Sequence, residues 1–141
     1  MTKEVLLSIK GLQFDSSEED MQIESMTRAE YYVRSGSHYV LFEEASEGFE
    51  ETTRNIMKFR EKSLELTKKG LINVHMIFEE GKKNMATYAT PFGDILIGMD
   101  TSKVSVTETE QEISVDVAYA LELNYEHQAD CNIHVAIRAR G

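Results

Sequence analysis

The stretch "EISVDVAYALELNYE", residues 112–126, restricts the fold more than any other part of the chain. Ile113, Val115, Val117, Tyr119, Leu121, Leu123 and Tyr125 share one parity, and Ser114, Asp116, Ala118, Ala120, Glu122 and Asn124 share the other. Successive side chains on a strand point to opposite faces, so this period of two describes a long strand with one dry face. "CNIHVAIRAR" repeats it: Ile133, Val135 and Ile137 face one way, His134 and Arg138 the other.

Earlier segments agree. Ile72, Val74, Met76 and Phe78 alternate with Asn73, His75 and Glu79. Ile23, Ser25, Thr27, Ala29, Tyr31 and Val33 share a face opposite Glu24, Arg28 and Glu30. Val5, Leu7 and Ile9 alternate until Gly11, after which Leu12 and Phe14 take the other parity, as a β-bulge at the glycine would make them. Turn signals recur about every ten residues: "FDSSEED", "RSGSH", "SEGFE", "KKGL", "EEGKKN", "TPFGD", "DTSK", "TETEQE" and "EHQAD".

"TTRNIMKFREKSLELTKKG" is the ambiguous segment. As a helix it would stack Ile56, Phe59 and Ser63, a poor stripe; as two strands turning at "REKS" it aligns Thr53, Asn55, Met57 and Phe59, then Leu64 and Leu66. Its neighbours are strands, and two strands are the reading adopted. The expected fold is therefore all-β, with one domain over residues 1–141. It is an antiparallel up-and-down meander barrel of about 8–10 strands, because closure removes the exposed edges that would template unwanted pairing. A two-sheet sandwich is the competing arrangement.

"YYVRSGSHYVLFEE", "MIFEEG" and "YATPFGDILIG" followed by Thr101 resemble the YwiB-like family of small bacterial proteins, over about residues 5–138. That family is similar to calycins, the lipocalin-like meander barrels. The resemblance implies that fold and carries no catalytic signature. It also implies a basic residue, often arginine, just before the glycine matched by Gly70, where this chain has Lys68 and Lys69.

Twenty-five acidic against 15 basic residues leave a net charge of −10. That field repels phosphate backbones and anionic headgroups, so neither nucleic acid nor a membrane is expected as a partner. One cysteine, Cys131, excludes an intrachain disulfide and suits a reducing compartment, and no apolar run reads as a signal peptide or a span, so the expected location is cytoplasmic.

No catalytic, metal or cofactor site is expected. His75 and His134 lie on polar parities of separate strands, Cys131 reads as a small core residue, and Glu43, Glu44, Glu47, Glu50 and Glu51 read as a solvated hairpin tip. The lone proline, Pro91, followed by Phe92 and Gly93, reads as a register-setting turn. What remains is the barrel interior. Ser25, Thr27, Tyr31, Met57, Phe59, Met76, Phe78 and Tyr119 fall on inward parities and would line a lumen that holds one small, mainly apolar ligand, or fill it as a core. Two functions stand: a ligand-binding barrel, or a solid barrel that meets partner proteins through its acidic surface. Monomer and homodimer are both compatible with the sequence.

Overall fold

The structure is a computed structural model that describes residues 4–11, 24–45 and 48–139, the side chains of Glu24 and Ser25 excepted. It contains ten strands: β1 Glu4–Lys10, β2 Glu24–Arg34, β3 Ser37–Ala45, β4 Thr52–Arg60, β5 Ser63–Gly70, β6 Val74–Glu79, β7 Lys82–Thr90, β8 Gly93–Glu108, β9 Glu112–Leu123 and β10 Glu126–Ala139. They form one antiparallel sheet in the order β6-β5-β4-β3-β2-β1-β10-β9-β8-β7. Every neighbour in that order is a neighbour in sequence except β1 and β10, whose pairing joins the two ends of the chain. The barrel is thus an up-and-down meander, nearly closed. Its seam lies between β6 and β7, which share a single antiparallel bridge, Asn73 to Ala89, with N···O distances of 3.0 and 2.9 Å.

Residues 53–69 are two strands, β4 and β5, joined at Glu61–Lys62. The helical alternative fails because Thr53, Asn55, Met57 and Phe59 bury one side and Leu64, Leu66 and Lys68 bury the next. Turns connecting paired strands are short. Ser35–Gly36 has φ of 52° and 80°, and Asn124–Tyr125 has 51° and 71°, the two positive values of a type I′ hairpin. The corner at Pro91–Phe92 forms as expected. Thr90 pairs with Gly93, whose φ of 130° belongs to glycine, and Thr90 Oγ1 accepts from Phe92 N at 3.1 Å.

Three expectations are corrected. "DTSK" is no turn: β8 runs through it, with an extra residue, Ser102, inserted between the pairs Thr101–Tyr119 and Lys103–Ala118. "EHQAD" is likewise a bulge in β10 between His127 and Ala129, and the real reversal lies two residues earlier. Tyr125 sits in that reversal, 75% exposed, rather than on the dry face of β9. The slip expected at Gly11 involves Leu12 and Phe14, outside the described residues; β1 itself ends at Lys10. "FDSSEED" lies outside them as well.

The dry faces meet inside. Val5, Leu7, Val40, Met57, Phe59, Met76, Phe78, Met99, Ile113, Val115, Val135 and Ile137 are all fully buried, and they form one continuous core. One end of the barrel carries the β3–β4, β5–β6, β7–β8 and β9–β10 turns, and is called the Pro91 end; the other is the Gly36 end. Among the described residues no helix is long and apolar enough to cross a membrane.

Candidate functional site

Strand parity places the interior side chains, and register stacks them in layers. At the Gly36 end, Tyr31 on β2 faces His38 on β3, hydroxyl to Nδ1 at 2.6 Å, and the imidazole stacks on Phe59 with ring centres 4.7 Å apart. Burial, and then the charge of Glu108, raise the Tyr31 hydroxyl above the ordinary tyrosine value.

The middle layer is apolar. Met57 lies opposite Val40 and Leu66, and Phe59 opposite His38 and Leu64. Met76 lies opposite Leu66 and Phe78 opposite Leu64. The Phe78 ring on β6 meets Tyr119 on β9 edge-on at 4.9 Å, on the far side of the seam. That contact joins opposite flanks of the seam by side chains where the backbone ladder is missing. Met57, Phe59, Met76 and Phe78 each have 0% of their surface exposed. A water-sized void beside any of them would leave measurable surface, so the interior at this level is filled.

Six of the eight candidate residues, Tyr31, Met57, Phe59, Met76, Phe78 and Tyr119, are therefore buried in one core. Thr27 lies on the inward parity opposite Leu7 but stays half-buried, its hydroxyl 3.4 Å from Arg28 O of its own strand. Ser25 pairs with Ile9 in the backbone ladder, and its side chain lies outside the described residues.

The Pro91 end holds a polar layer that the sequence reading passed over. Lys68 extends the inward series Leu64, Leu66; Thr53 and Asn55 begin the series Met57, Phe59; Glu44 ends the series Val40, Phe42. Register brings them together, with Lys68 opposite Asn55 and Glu44 opposite Thr53. Lys68 Nζ donates to Glu44 Oε1 at 2.7 Å, and Asn55 Nδ2 donates to the same oxygen at 3.3 Å. The lysine side chain is 8% exposed and the glutamate 41%. Thr53 Oγ1 accepts from Ile72 N at 3.3 Å. Tyr88 reaches in from β7; burial first, then the Glu44 carboxylate, raise its hydroxyl. Glu44 is thus no hairpin-tip residue but the counter-ion of a buried lysine. Parity was the available signal, since Lys68 sits in phase with two leucines.

Among the described residues Asn55 Oδ1, Asn84 Nδ2 and Thr101 Oγ1 are buried without a hydrogen-bond partner, while the Tyr119 hydroxyl meets the Cys131 thiol. Thr101 and Tyr119 are directly opposed on β8 and β9. Burial, then the charge of Cys131, push the Tyr119 hydroxyl far above the ordinary range. Burial likewise raises the Cys131 thiol, the reverse of what an activated nucleophile needs. His75 and His134 do point outward, each onto a carboxylate, Glu65 at 3.0 Å and Asp116 at 2.6 Å.

Outside the barrel, the Pro91 end brings two turns together. Phe49, from the β3–β4 connection, meets Phe92, from the β7–β8 turn, edge-on at 6.0 Å. Phe92 is 87% exposed and Phe49 40%. Glu50, Glu51 and Asp94, all exposed, lie within two residues of one ring or the other.

The class these features define is an all-antiparallel ten-stranded meander barrel with a filled apolar middle and polar ends. The family model described as Domain of unknown function (DUF1934) matches residues 7–135, and the chain belongs to that family. Its fold is similar to that of the ywiB protein from Bacillus subtilis, whose crystal structure aligns with a TM-score of 0.81 at 19% identity, over 99% of this chain and 93% of that one. No similar sequence is found among the curated proteins.

Proposed function

We propose that the barrel is a rigid binding module that engages a partner protein at its Pro91 end, and we assign it no catalytic step. The observation that supports this reading is the exposed Phe49–Phe92 pair within an acidic surround. Single exposed apolar residues are ordinary on a protein surface; two aromatic rings held together by separate turns are a small prepared patch. Burying Phe92 would remove apolar surface at about 25 cal/mol per Å², and aromatic side chains are the common anchors of interfaces. Glu50, Glu51 and Asp94 select the complement: a segment carrying Lys or Arg beside an apolar anchor.

The test is affinity capture from extract of the source organism, with the retained protein identified by mass spectrometry. One basic partner should be held at low salt, released at high salt, and lost with Phe49→Ala/Phe92→Ala. Retention that ignores either the salt or the double substitution overturns the reading.

A small ligand inside the barrel is a second reading, and a different observation favours it. Asn55 Oδ1 and Thr101 Oγ1 are buried without partners, and a polar ligand group would supply them. Since Met57, Phe59, Met76 and Phe78 fill the middle layer, entry requires those side chains to move. Native mass spectrometry of protein purified from its own host tests it, and a spectrum holding only the bare chain mass counts against it.

A further inference from the structure

A hollow of about 400 Å³ opens on the outer wall over β1, β10, β9 and β8. Its polar lining comes from directly opposed pairs: Lys10 with His134, His134 with Asp116, Asp116 with Ser105, and one step along, Asn132 with Ala118 and Ala118 with Lys103. The two lysines stand on the outermost of the four strands and one row out of step, about 16 Å apart at the backbone from three strand spacings and two residues of rise. Both arms are long enough to reach over the row between them.

Local features make the hollow. Ala118, between Lys103 and Asn132, keeps the floor low. Gly11, at φ 84°, lets β1 end hard against β10; a Cβ there would lie 2.0 Å from Asn132 O. The bulge at Ser102 is decisive. Before it, Met99 and Thr101 point inward; after it, Val104 does. Were Ser102 paired in regular alternation rather than bulged, Lys103 would face the core. The main chain that the bulge disturbs is held by Glu80 Oε1, which accepts from Val104 N at 3.0 Å, by Gly81 N, which donates to Thr101 O at 2.8 Å, and by Ser102 Oγ, which donates to Ala118 O at 3.2 Å. Bulges recur where a side chain must be re-aimed beside a site.

The charges converge on one ligand class. On a chain of net charge −10, this hollow gathers two lysines that make no ion pair among the described residues. Asp116 is its single acid, and that carboxylate is engaged by His134 Nδ1 at 2.6 Å, which leaves the imidazole Nε2 for a ligand. Two ammonium groups, the Asn132 amide and the Ser105 hydroxyl can donate to a group with several acceptor oxygens and a full negative charge, and Nε2 joins them when the imidazole is protonated. The volume exceeds what a bare phosphate needs and is of ligand-site size. The net charge of the molecule opposes a polyanion. We propose that the hollow binds the phosphate of a small phosphate monoester.

The experiment is an amide-resolved NMR titration of the full chain with inorganic phosphate, and separately with glycerol 3-phosphate, at constant ionic strength. Saturable shifts should centre on Gly11, Lys103, Ala118, Asn132 and His134. Lys10→Gln/Lys103→Gln should weaken binding about tenfold or more, since each ammonium contributes a charge-assisted hydrogen bond. Arg34→Gln/Arg60→Gln removes the same charge from strands that do not border the hollow, and should change affinity less than about twofold, as expected for a distant surface charge. Equal weakening by both double variants, shifts that never saturate, or a response confined to vesicles of phosphatidylglycerol would overturn the proposal.

Discussion

Glu44→Gln should cost far more stability than Lys68→Met, although the two residues are partners in one ion pair. The asymmetry comes from exposure. The Lys68 side chain is 8% exposed, and its ammonium donates to Glu44 Oε1 at 2.7 Å. Glutamine keeps the shape and an acceptor oxygen but removes the compensating charge, which leaves a cation in the barrel wall. Breaking a fully buried pair costs about 3–5 kcal/mol. Glu44 is 41% exposed, so water enters from its side and halves the penalty to about 2 kcal/mol. For a chain of this length that is a fall in Tm of roughly 6 °C. Lys68→Met instead leaves a carboxylate that water already reaches, and puts an apolar chain of similar length beside Leu66; its cost should stay under about 0.5 kcal/mol. The double variant should resemble Lys68→Met, giving a coupling of about 2 kcal/mol in a double-mutant cycle. Urea unfolding followed by circular dichroism measures all four proteins. If Lys68→Met proves as costly as Glu44→Gln, the lysine is contributing packing or other bonds, and the account of an uncompensated cation is wrong.

Three further outcomes can be checked on the same protein. Tyr31, Tyr88 and Tyr119 all have hydroxyls raised by burial, so the folded state holds protons that the unfolded chain releases near pH 10; stability should be flat below that value and fall as pH rises above it. Absorbance at 295 nm should show part of the tyrosinate appearing only with unfolding, and ionisation of all six tyrosines while the far-ultraviolet signal stays native would contradict this. Gly70→Ala should destabilise by about 3 kcal/mol, because its Cβ would lie 2.3 Å from Thr52 O at φ 137°, whereas Gly36→Ala, at φ 80° with nothing within 4 Å, should cost about 1 kcal/mol. Equal unfolding midpoints for the two variants would remove the clash from the explanation. Deleting Ser102 should erase the β8 bulge yet leave Lys103 opposite Ala118 and Val104 opposite Val117, so it should cost no more than about 1.5 kcal/mol, the lost Ser102 Oγ to Ala118 O bond included; loss of the cooperative urea transition would show that the bulge itself holds the register.

Most of the barrel was legible because its core obeys one rule. A period of two, counted strand by strand, identified Tyr31, Met57, Phe59, Met76, Phe78 and Tyr119 as interior, and all six are buried. Parity carries no information about depth along the barrel axis, however. It could not tell that Tyr31 sits at one end against His38 while Phe78 and Tyr119 meet in the middle. Nor does it discriminate residue type once a strand is in phase. Lys68 and Glu44 occupied inward positions by the same count as their apolar neighbours, as Asn55 did beside Met57, yet chemical habit set the two charged residues aside as surface. Their burial depends on three strands meeting in register, and register is a property of pairs that one strand's pattern does not contain.

The bulges are where single-strand reading fails outright, and the failure coincides with the outer hollow. "DTSK" looked like a turn because polar residues interrupt the alternation, and a turn and a bulge both break a period of two. They differ in the path of the chain beyond the break: a turn reverses it, while a bulge continues it with the faces exchanged. Past Ser102 the even-numbered Val104 faces inward, where before it the odd-numbered Met99 and Thr101 did. A register argument from β9 could have found this, since Val117 and Val115 need apolar partners and obtain Val104 and Val106 only if one residue is skipped. The same skip turns Lys103 outward toward Ala118 and aligns Ser105 with Asp116 and His134. By absorbing Ser102 the bulge keeps the core continuous on one face and the cationic row on the other. Deleting Ser102 leaves both parities as they are, so stability and the phosphate response should survive together, whereas Ser102 held in regular pairing would turn Lys103 inward and forfeit both.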